Sequence, residues 1–209
     1  VEVCAGDRNM GHDMPVSWRV AREAGFVASL QALRGHSSLF TDTVVINGHE
    51  IYHGTFPSAS MGFLMLRIHD RLDLEKLRGG TSVNSVDNFT TYKSWADLRD
   101  TLKAIFTTYH GTVFNTQSDD PAANVNPDHY NLQLLSQEMR NDLPSIPFKY
   151  FMCWQALAQP PNLNQQQQDV KRRLFDPYNQ VVLKRTGYDH YVREPVTVTM
   201  LLREYYYEA

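Results

Sequence analysis

The segment Thr43-Val-Val-Ile-Asn-Gly-His-Glu-Ile-Tyr-His-Gly-Thr-Phe56 carries the strongest local signal in the chain. β-Branched residues precede Asn47-Gly48, and Asn-Gly is the dipeptide that best fits a type I′ turn between two antiparallel strands. Because side chains alternate along a strand, such a hairpin places His49 and His53 on one face. The segment therefore predicts a β-hairpin that turns at Asn47-Gly48.

Helical patterns flank this hairpin on both sides. Apolar residues recur at helical spacing over residues 16–33, 95–106 and 132–139, and the second of these helices follows the capping pattern Ser94-x-x-Asp97. Together these patterns predict an α+β fold, in which an antiparallel sheet (the hairpin and C-terminal strands) packs with several amphipathic helices.

Other elements are predicted from composition. The apolar run 63–77 ahead of Gly79-Gly80 predicts a helix, as does 165–175, whereas 148–157 fits a helix or a strand. Segments rich in Val, Thr and Tyr predict three strands, at residues 109–115, 179–184 and 196–207.

The chain is predicted to form a single domain over residues 1–209. Residues 1–14 lack periodicity and predict an irregular arm, and the Ser, Asp, Pro and Asn of 116–128 predict an internal boundary or a mobile loop. The chain starts at Val1 and ends in a Tyr-rich segment, which suggests an excised or processed part of a larger polypeptide.

Composition narrows the classes of function. The net charge is −3, and no cluster of Lys and Arg is dense enough to indicate a nucleic-acid surface. No apolar run approaches the roughly 20 residues that cross a bilayer, so no membrane segment is expected. The two cysteines are too few for a disulfide framework or a cysteine metal cluster.

A zinc site is one functional hypothesis for the hairpin segment. His49-Glu50-x-x-His53 is the zinc-hydrolase pattern, in which two imidazoles one helical turn apart bind Zn²⁺ and the Glu acts as the base. That chemistry requires a helix, because four residues of strand span about 13 Å. His49 and His53 are therefore metal ligands only if the segment is helical.

Ile51-Tyr-His-Gly-Thr-Phe56 also resembles the first catalytic strand of diphtheria-toxin-like and poly-ADP-ribose-polymerase-like transferases. The resemblance implies that His53 and Gly54 hold the nicotinamide of NAD, which would be the substrate. Leu202-Arg-Glu-Tyr205 is similar to the strand that carries the catalytic Glu, which would be Glu204. The family's middle Gly-x-Tyr segment is absent.

Tyr-His-Gly-Thr occurs twice, at residues 52–55 and 109–112. Two such strands resemble the paired His-x-Thr strands of two-histidine phosphoesterases. The resemblance implies that His53 and His110 form a general acid–base pair, with Thr55 and Thr112 binding substrate. The Gly between His and Thr departs from that family's pattern.

Each catalytic hypothesis lacks at least one required member. The sequence therefore favours a non-enzymatic structural or protein-interaction domain without a cofactor, with a protein partner or self-assembly. The first alternative is a His-dependent enzyme centred on His53, of the transferase or the phosphoesterase type. The second is a zinc metallohydrolase.

Overall fold

The hairpin at Asn47-Gly48 is present in the computed structural model of the chain. Strands Phe40–Ile46 and His49–Thr55 pair antiparallel from Ile46 opposite His49 to Phe40 opposite Thr55. Both turn residues have positive φ, 53° and 79°, as a type I′ turn requires. The predicted turn and register are confirmed.

The structure describes residues 2–4, 8–9, 12–13, 16–35, 38–57, 62–69, 73–118, 127–152, 154–194 and 196–208. The elements in chain order are β1 Glu2–Cys4, β2 Arg8–Asn9, β3 His12–Asp13, α1 Val16–Arg34, β4 Phe40–Ile46, β5 His49–Thr55, β6 Gly62–Ile68, α2 Asp73–Arg78, β7 Val83–Asn84, β8 Thr91–Tyr92, α3 Trp95–Thr108, β9 Phe114–Ser118, α4 Pro127–Asp142, β10 Phe148–Met152, a 3-10 helix Trp154–Ala158, α5 Gln165–Thr186, α6 His190–Arg193, α7 Val196–Met200 and β11 Tyr206–Glu208. The architecture is α+β, as the sequence predicts.

The main sheet has the strand order β1-β6-β5-β4 and buries apolar side chains on both faces. Leu64 and Leu66 of β6 join a core formed with α2, α3, α4 and β10, while Phe63 and Met65 join a second cluster with α1. The prediction of a helix over residues 63–77 is therefore wrong at its start, where β6 occupies 62–68, and the helix α2 covers Asp73–Arg78. A strand buried on both faces shows a continuous apolar run that periodicity does not distinguish from a helix.

Arg67 of β6 connects α1 with the β7–β8 loop. It has a φ of 56° within β6, and its guanidinium binds Glu23 of α1 at 3.0 Å and Asp87 of the β7–β8 loop at 2.8 Å. The same group lies 4.0 Å above the ring of Tyr52. The helix α1 is thereby attached to the hairpin sheet by a half-buried ion-pair network.

A second sheet has the order β11-β10-β9, with β9 parallel and β11 antiparallel to β10. Phe148 and Tyr150 of β10 point into the larger core. The strand predicted at 109–115 begins only at Phe114, because α3 continues to Thr108 and His110 adopts a left-handed φ of 51° beyond it. Of the loop predicted at 116–128, residues 119–126 lie outside the described residues.

The C-terminal third is more helical than its composition predicts. The strand predicted at 179–184 is wrong, since α5 runs from a capping box at Asn164 and Gln167 to a left-handed cap at Gly187. Helix α5 packs along α1, and a Cβ on Gly25 would lie 2.7 Å from the Tyr178 ring. Tertiary packing therefore overrides the strand preference of its Val residues.

The strand predicted at 196–207 is also wrong over most of its length. Residues 196–200 form α7, and only Tyr206–Glu208 form a strand. The predicted irregular arm contains the short strands β1 to β3, and β1 pairs in parallel with β6. Within the described ranges, no helix has the length and apolar character that spanning a membrane requires.

Candidate functional site: the two ends of strand β5

His49 and His53 occupy the two ends of β5, on the face that looks toward α3. Four residues of strand separate them by about 13 Å, so the helix that a shared zinc ion requires is absent from this segment. Glu50 lies on the opposite face, is exposed and accepts a hydrogen bond from the Thr43 hydroxyl at 2.8 Å. The three residues of the zinc hypothesis therefore do not converge on one point.

His49 is buried and uses both ring nitrogens. Its Nδ1 lies 2.8 Å from Oγ1 of Thr90, its Nε2 lies 2.9 Å from Oδ1 of Asp97, and its ring stacks on Tyr92 at 4.8 Å. Only 4% of the residue is exposed. In the neutral ring Nε2 donates to the carboxylate and Nδ1 accepts from the hydroxyl, so each polar group is satisfied.

The first turn of α3 holds Asp97, one of the two partners of His49, in place. Ser94 caps the helix by accepting a hydrogen bond from the Asp97 backbone N–H at 3.1 Å. Burial would raise the pKa of the Asp97 carboxyl, but hydrogen bonds from the Lys93 backbone N–H and from His49 outweigh burial, and the pKa lies below its ordinary value. Asp97 is therefore an ionised anchor for His49.

The hairpin turn docks on the same helix. The Asn47 side chain donates to Oγ1 of Thr101 at 3.0 Å, and Thr101 donates to the backbone carbonyl of Asp97 at 2.7 Å. Hydroxyl, imidazole and carboxylate follow one another at Thr90, His49 and Asp97 as they do in a catalytic triad. The burial of His49 and the bond of Asn47 to Thr101 indicate that these hydrogen bonds anchor the hairpin to α3.

His53 has a different environment. Its Nδ1 lies 2.8 Å from Oδ1 of Asp42, the residue opposite it on β4, and its ring lies 6.4 Å from the ring of Tyr109. Nε2 has no hydrogen-bond partner among the described residues, and it lies 3.5 Å from the position that a Cβ on Gly62 would occupy. About 15% of the His53 side chain is exposed, so His53 is the more accessible of the two histidines.

Gly54 and Thr55, which were predicted to bind substrate, take part in the packing and the strand pairing of the main sheet. A Cβ on Gly54 would lie 2.3 Å from Cζ of Phe63, so this glycine is required by close packing. Thr55 pairs with Phe40 on one side and with Gly62 on the other. Both residues support the sheet, and neither has contacts that indicate a ligand site.

The other predicted catalytic residues lie apart from His53. His110 and Thr112 are exposed beyond the end of α3, and the ring of the neighbouring Tyr109 lies 6.4 Å from the ring of His53. The Glu204 carboxylate lies 3.6 Å from Lys171 of α5, and its backbone N–H and carbonyl both bond to the Asn162 side chain. In the part of the chain that the structure describes, no hydrogen bond or ion pair joins Glu204 to His53 or His110.

Three hydrogen-bond partners of the two histidines were not identified from the sequence. Thr90 carries no local signal, and Asp97 is recognisable only as a helix-capping residue. Asp42 could have been found from the hairpin register, which places it opposite His53. No group of three or more His, Cys, Asp or Glu residues that could hold a metal ion occurs within the described ranges.

Strand β4 forms an open edge of the main sheet. It is seven residues long, and no second strand pairs with its outer side among the described elements. In a two-residue hairpin that closes at Ile46 and His49, the alternate residues Thr41, Thr43 and Val45 turn their backbone N–H and C=O groups outward. Phe40 is 65% exposed and Val45 is 74% exposed, so apolar side chains accompany these free backbone groups.

No protein-family model, curated protein or solved structure matches this chain. Function is therefore inferred from the contacts and exposed surfaces of the chain itself.

Proposed function

We propose that this chain is a non-enzymatic protein-interaction domain that binds an extended segment of a partner protein along β4. The observation that carries the proposal is the length and exposure of this edge strand, Phe40–Ile46. Strand addition to an open sheet edge is a recurrent mode of protein recognition, in which backbone hydrogen bonds provide affinity and alternate side chains provide specificity.

The residues of β4 support this proposal because they lack most of the features that usually protect an edge. Sheet edges are commonly blocked by Lys, by Pro, by a bulge or by a very short strand. β4 contains no Lys, Arg or Pro, Asp42 is its only charged residue, and its pairing with β5 is regular over all seven residues. An edge of mainly β-branched residues with a single carboxylate favours pairing with another strand.

The burial of His49 supports a structural role for the hairpin. Its bonds to Thr90 and Asp97, with that of Asn47 to Thr101, attach the turn to α3. Because the hairpin is held in place before binding, little conformational entropy of β4 is lost when a partner strand binds, which favours binding.

A phage-displayed library of random short peptides tests the proposal. We expect the wild-type chain to enrich peptides rich in β-branched and aromatic residues, and Val45→Lys to abolish their binding by placing a charge on the edge. Val192→Lys is the matched control, because Val192 is 70% exposed on α6, away from β4. A library that yields no enriched peptide, or peptides that bind Val45→Lys as well as wild type, would contradict the proposal.

Proton-transfer chemistry at His53 is the second candidate. It is supported by the bond of Nδ1 to Asp42, which orients the ring, and by the absence of a partner for Nε2 among the described residues. A histidine oriented in this way can act as a general base. NAD⁺ glycohydrolase and cyclic-phosphate hydrolysis assays test it: activity that survives His53→Ala, or that Glu50→Ala lowers equally, rejects this candidate.

A further inference from the structure

We infer that the strand which occupies the β4 edge is β4 of a second copy of this chain, paired antiparallel about a two-fold axis at Thr43. The inference rests on the proposed function and adds the identity of the partner. In such a dimer the two main sheets join into one sheet that runs through both copies. The interface is isologous, as is usual for homodimers.

The alternation of backbone groups restricts the possible registers. Thr41, Thr43 and Val45 present the outward N–H and C=O groups, so they must face each other across the interface. Pairing Thr43 with Thr43 of the second copy places Thr41 opposite Val45, and all seven residues of β4 are then paired. A shift by one outward residue in either direction leaves residues at both strand ends unpaired.

The single charge of β4 favours the same register. Asp42 is the only charged residue in Phe40–Ile46. Centring the pair on Thr43 places Asp42 opposite Val44, whereas centring it on Asp42 would place two carboxylates directly opposite each other, which destabilises a sheet. In the Thr43-centred register the two Asp42 residues are diagonal neighbours, so their carboxylates lie farther apart than in direct opposition.

The exposed apolar side chains gain cover in this arrangement. Phe40 faces Ile46 of the second copy, at the end of the strand where the core begins, and Val45 faces Thr41. One pair of seven-residue strands is a small contact beside the roughly 1,200 Å² of a standard interface. We therefore expect a reversible dimer that forms with increasing concentration.

Sedimentation velocity over a range of concentrations tests the inference. The wild-type chain and Val192→Lys should shift from monomer to dimer as concentration rises, and Thr41→Lys/Val45→Lys should stay monomeric. Both substituted residues are exposed, and circular dichroism verifies that the variants are folded. A wild-type chain that is monomeric throughout, or a Lys variant that still dimerises, overturns the inference.

A charge-complementation experiment tests the register. Thr41→Lys/Val45→Lys and Thr41→Glu/Val45→Glu should each be monomeric, since the Thr43-centred register places like charges at positions 41 and 45 opposite each other. Mixing the two variants should restore a dimer, because each Lys then faces a Glu. Failure of the mixture to dimerise overturns the Thr43-centred pairing.

Peptides that bind wild-type β4 while the wild-type chain remains monomeric would reject the self-pairing and leave the proposed function standing.

Discussion

The turn end and the open end of β5 carry the same residue type on the same face, in different environments. At the turn end, His49 is buried against Tyr92 and bonded through both nitrogens to Thr90 and Asp97. At the open end, His53 is bonded through one nitrogen to Asp42, a residue on an exposed edge strand. The difference follows from α3, whose capped N-terminus meets His49 and whose C-terminal end brings the Tyr109 ring near His53.

The two histidines show that a side chain can either anchor the strand or remain accessible at the surface. A side chain whose polar atoms are all satisfied in a buried site contributes to stability, and its removal leaves its partners unsatisfied. A side chain with an unbonded nitrogen near the surface contributes less to stability and remains available for chemistry or contact. Four predictions test this division between the two ends of the strand.

The largest effect is expected from His49→Ala. The substitution leaves the Asp97 carboxylate and the Thr90 hydroxyl without their imidazole partner and removes the stacking on Tyr92. We expect a loss of about 3 kcal/mol in the free energy of unfolding, measured by urea denaturation. The adjacent Glu50→Ala, at an exposed site, should change it by less than about 0.5 kcal/mol. Equal effects of the two substitutions would contradict the anchoring role of His49.

For the two glycines of the hairpin, we expect the larger loss of stability at the open end of β5, the opposite of the order expected for the two histidines. Gly54→Ala places a Cβ against the buried Phe63 ring, which itself packs on Phe26 and Tyr52, and should cost about 2 kcal/mol. Gly48→Ala meets no atom within 4 Å but retains a φ of 79°, and should cost about 1 kcal/mol. Thermal unfolding of both variants measures the two losses of stability. A larger loss for Gly48→Ala would show that the Phe63 ring shifts at little cost to make room for the added Cβ.

Acid should weaken the turn end through Asp97. Because its pKa in the folded chain lies below the unfolded value of about 3.9, the ionised form stabilises the fold. This contribution is complete above about pH 4 and is lost as the pH falls through the lowered folded pKa. Asp97→Asn should therefore show a smaller loss of stability on acidification, while Asp100→Asn, exposed on the same helix, should follow wild type. Identical pH profiles for all three proteins would contradict this prediction.

The smallest effect on stability is expected from His53→Ala. It removes one hydrogen bond to the exposed Asp42 carboxylate and a loose contact with Tyr109, so the loss should be about 1 kcal/mol or less by urea denaturation. A loss as large as that of His49→Ala would show that the open end anchors the sheet as firmly as the turn end does.

Local signals in the sequence predicted part of this fold correctly. Asn47-Gly48 predicted the turn and the register of β4 and β5, and Ser94 predicted the start of α3, because both depend on residues a few positions apart. Signals from composition failed where burial was complete on both sides, as in residues 62–68, or where a neighbouring helix stabilised the segment, as in 179–184.

The candidate site was predictable only in part. The sequence indicated that His49 and His53 share a face if the segment is a strand, and that a strand keeps them too far apart for one metal ion. The partners of His49 are 41 and 48 residues away along the chain, and that of His53 is 11 residues away across the hairpin. The register of the hairpin predicts that Asp42 lies opposite His53. No spacing rule predicts the partners of His49, since these arise from the position of α3 and the β7–β8 loop on the sheet.

The sequence by itself determined the hairpin, its turn type and the alternation of its side chains, because turn dihedrals and strand geometry are properties of neighbouring residues. Tertiary structure alone decided which histidine is buried and which strand remains an open edge. Those outcomes depend on where helices and strands distant in the chain pack against β4 and β5. The same sequence pattern thus yields a buried anchor at His49 and an accessible side chain at His53.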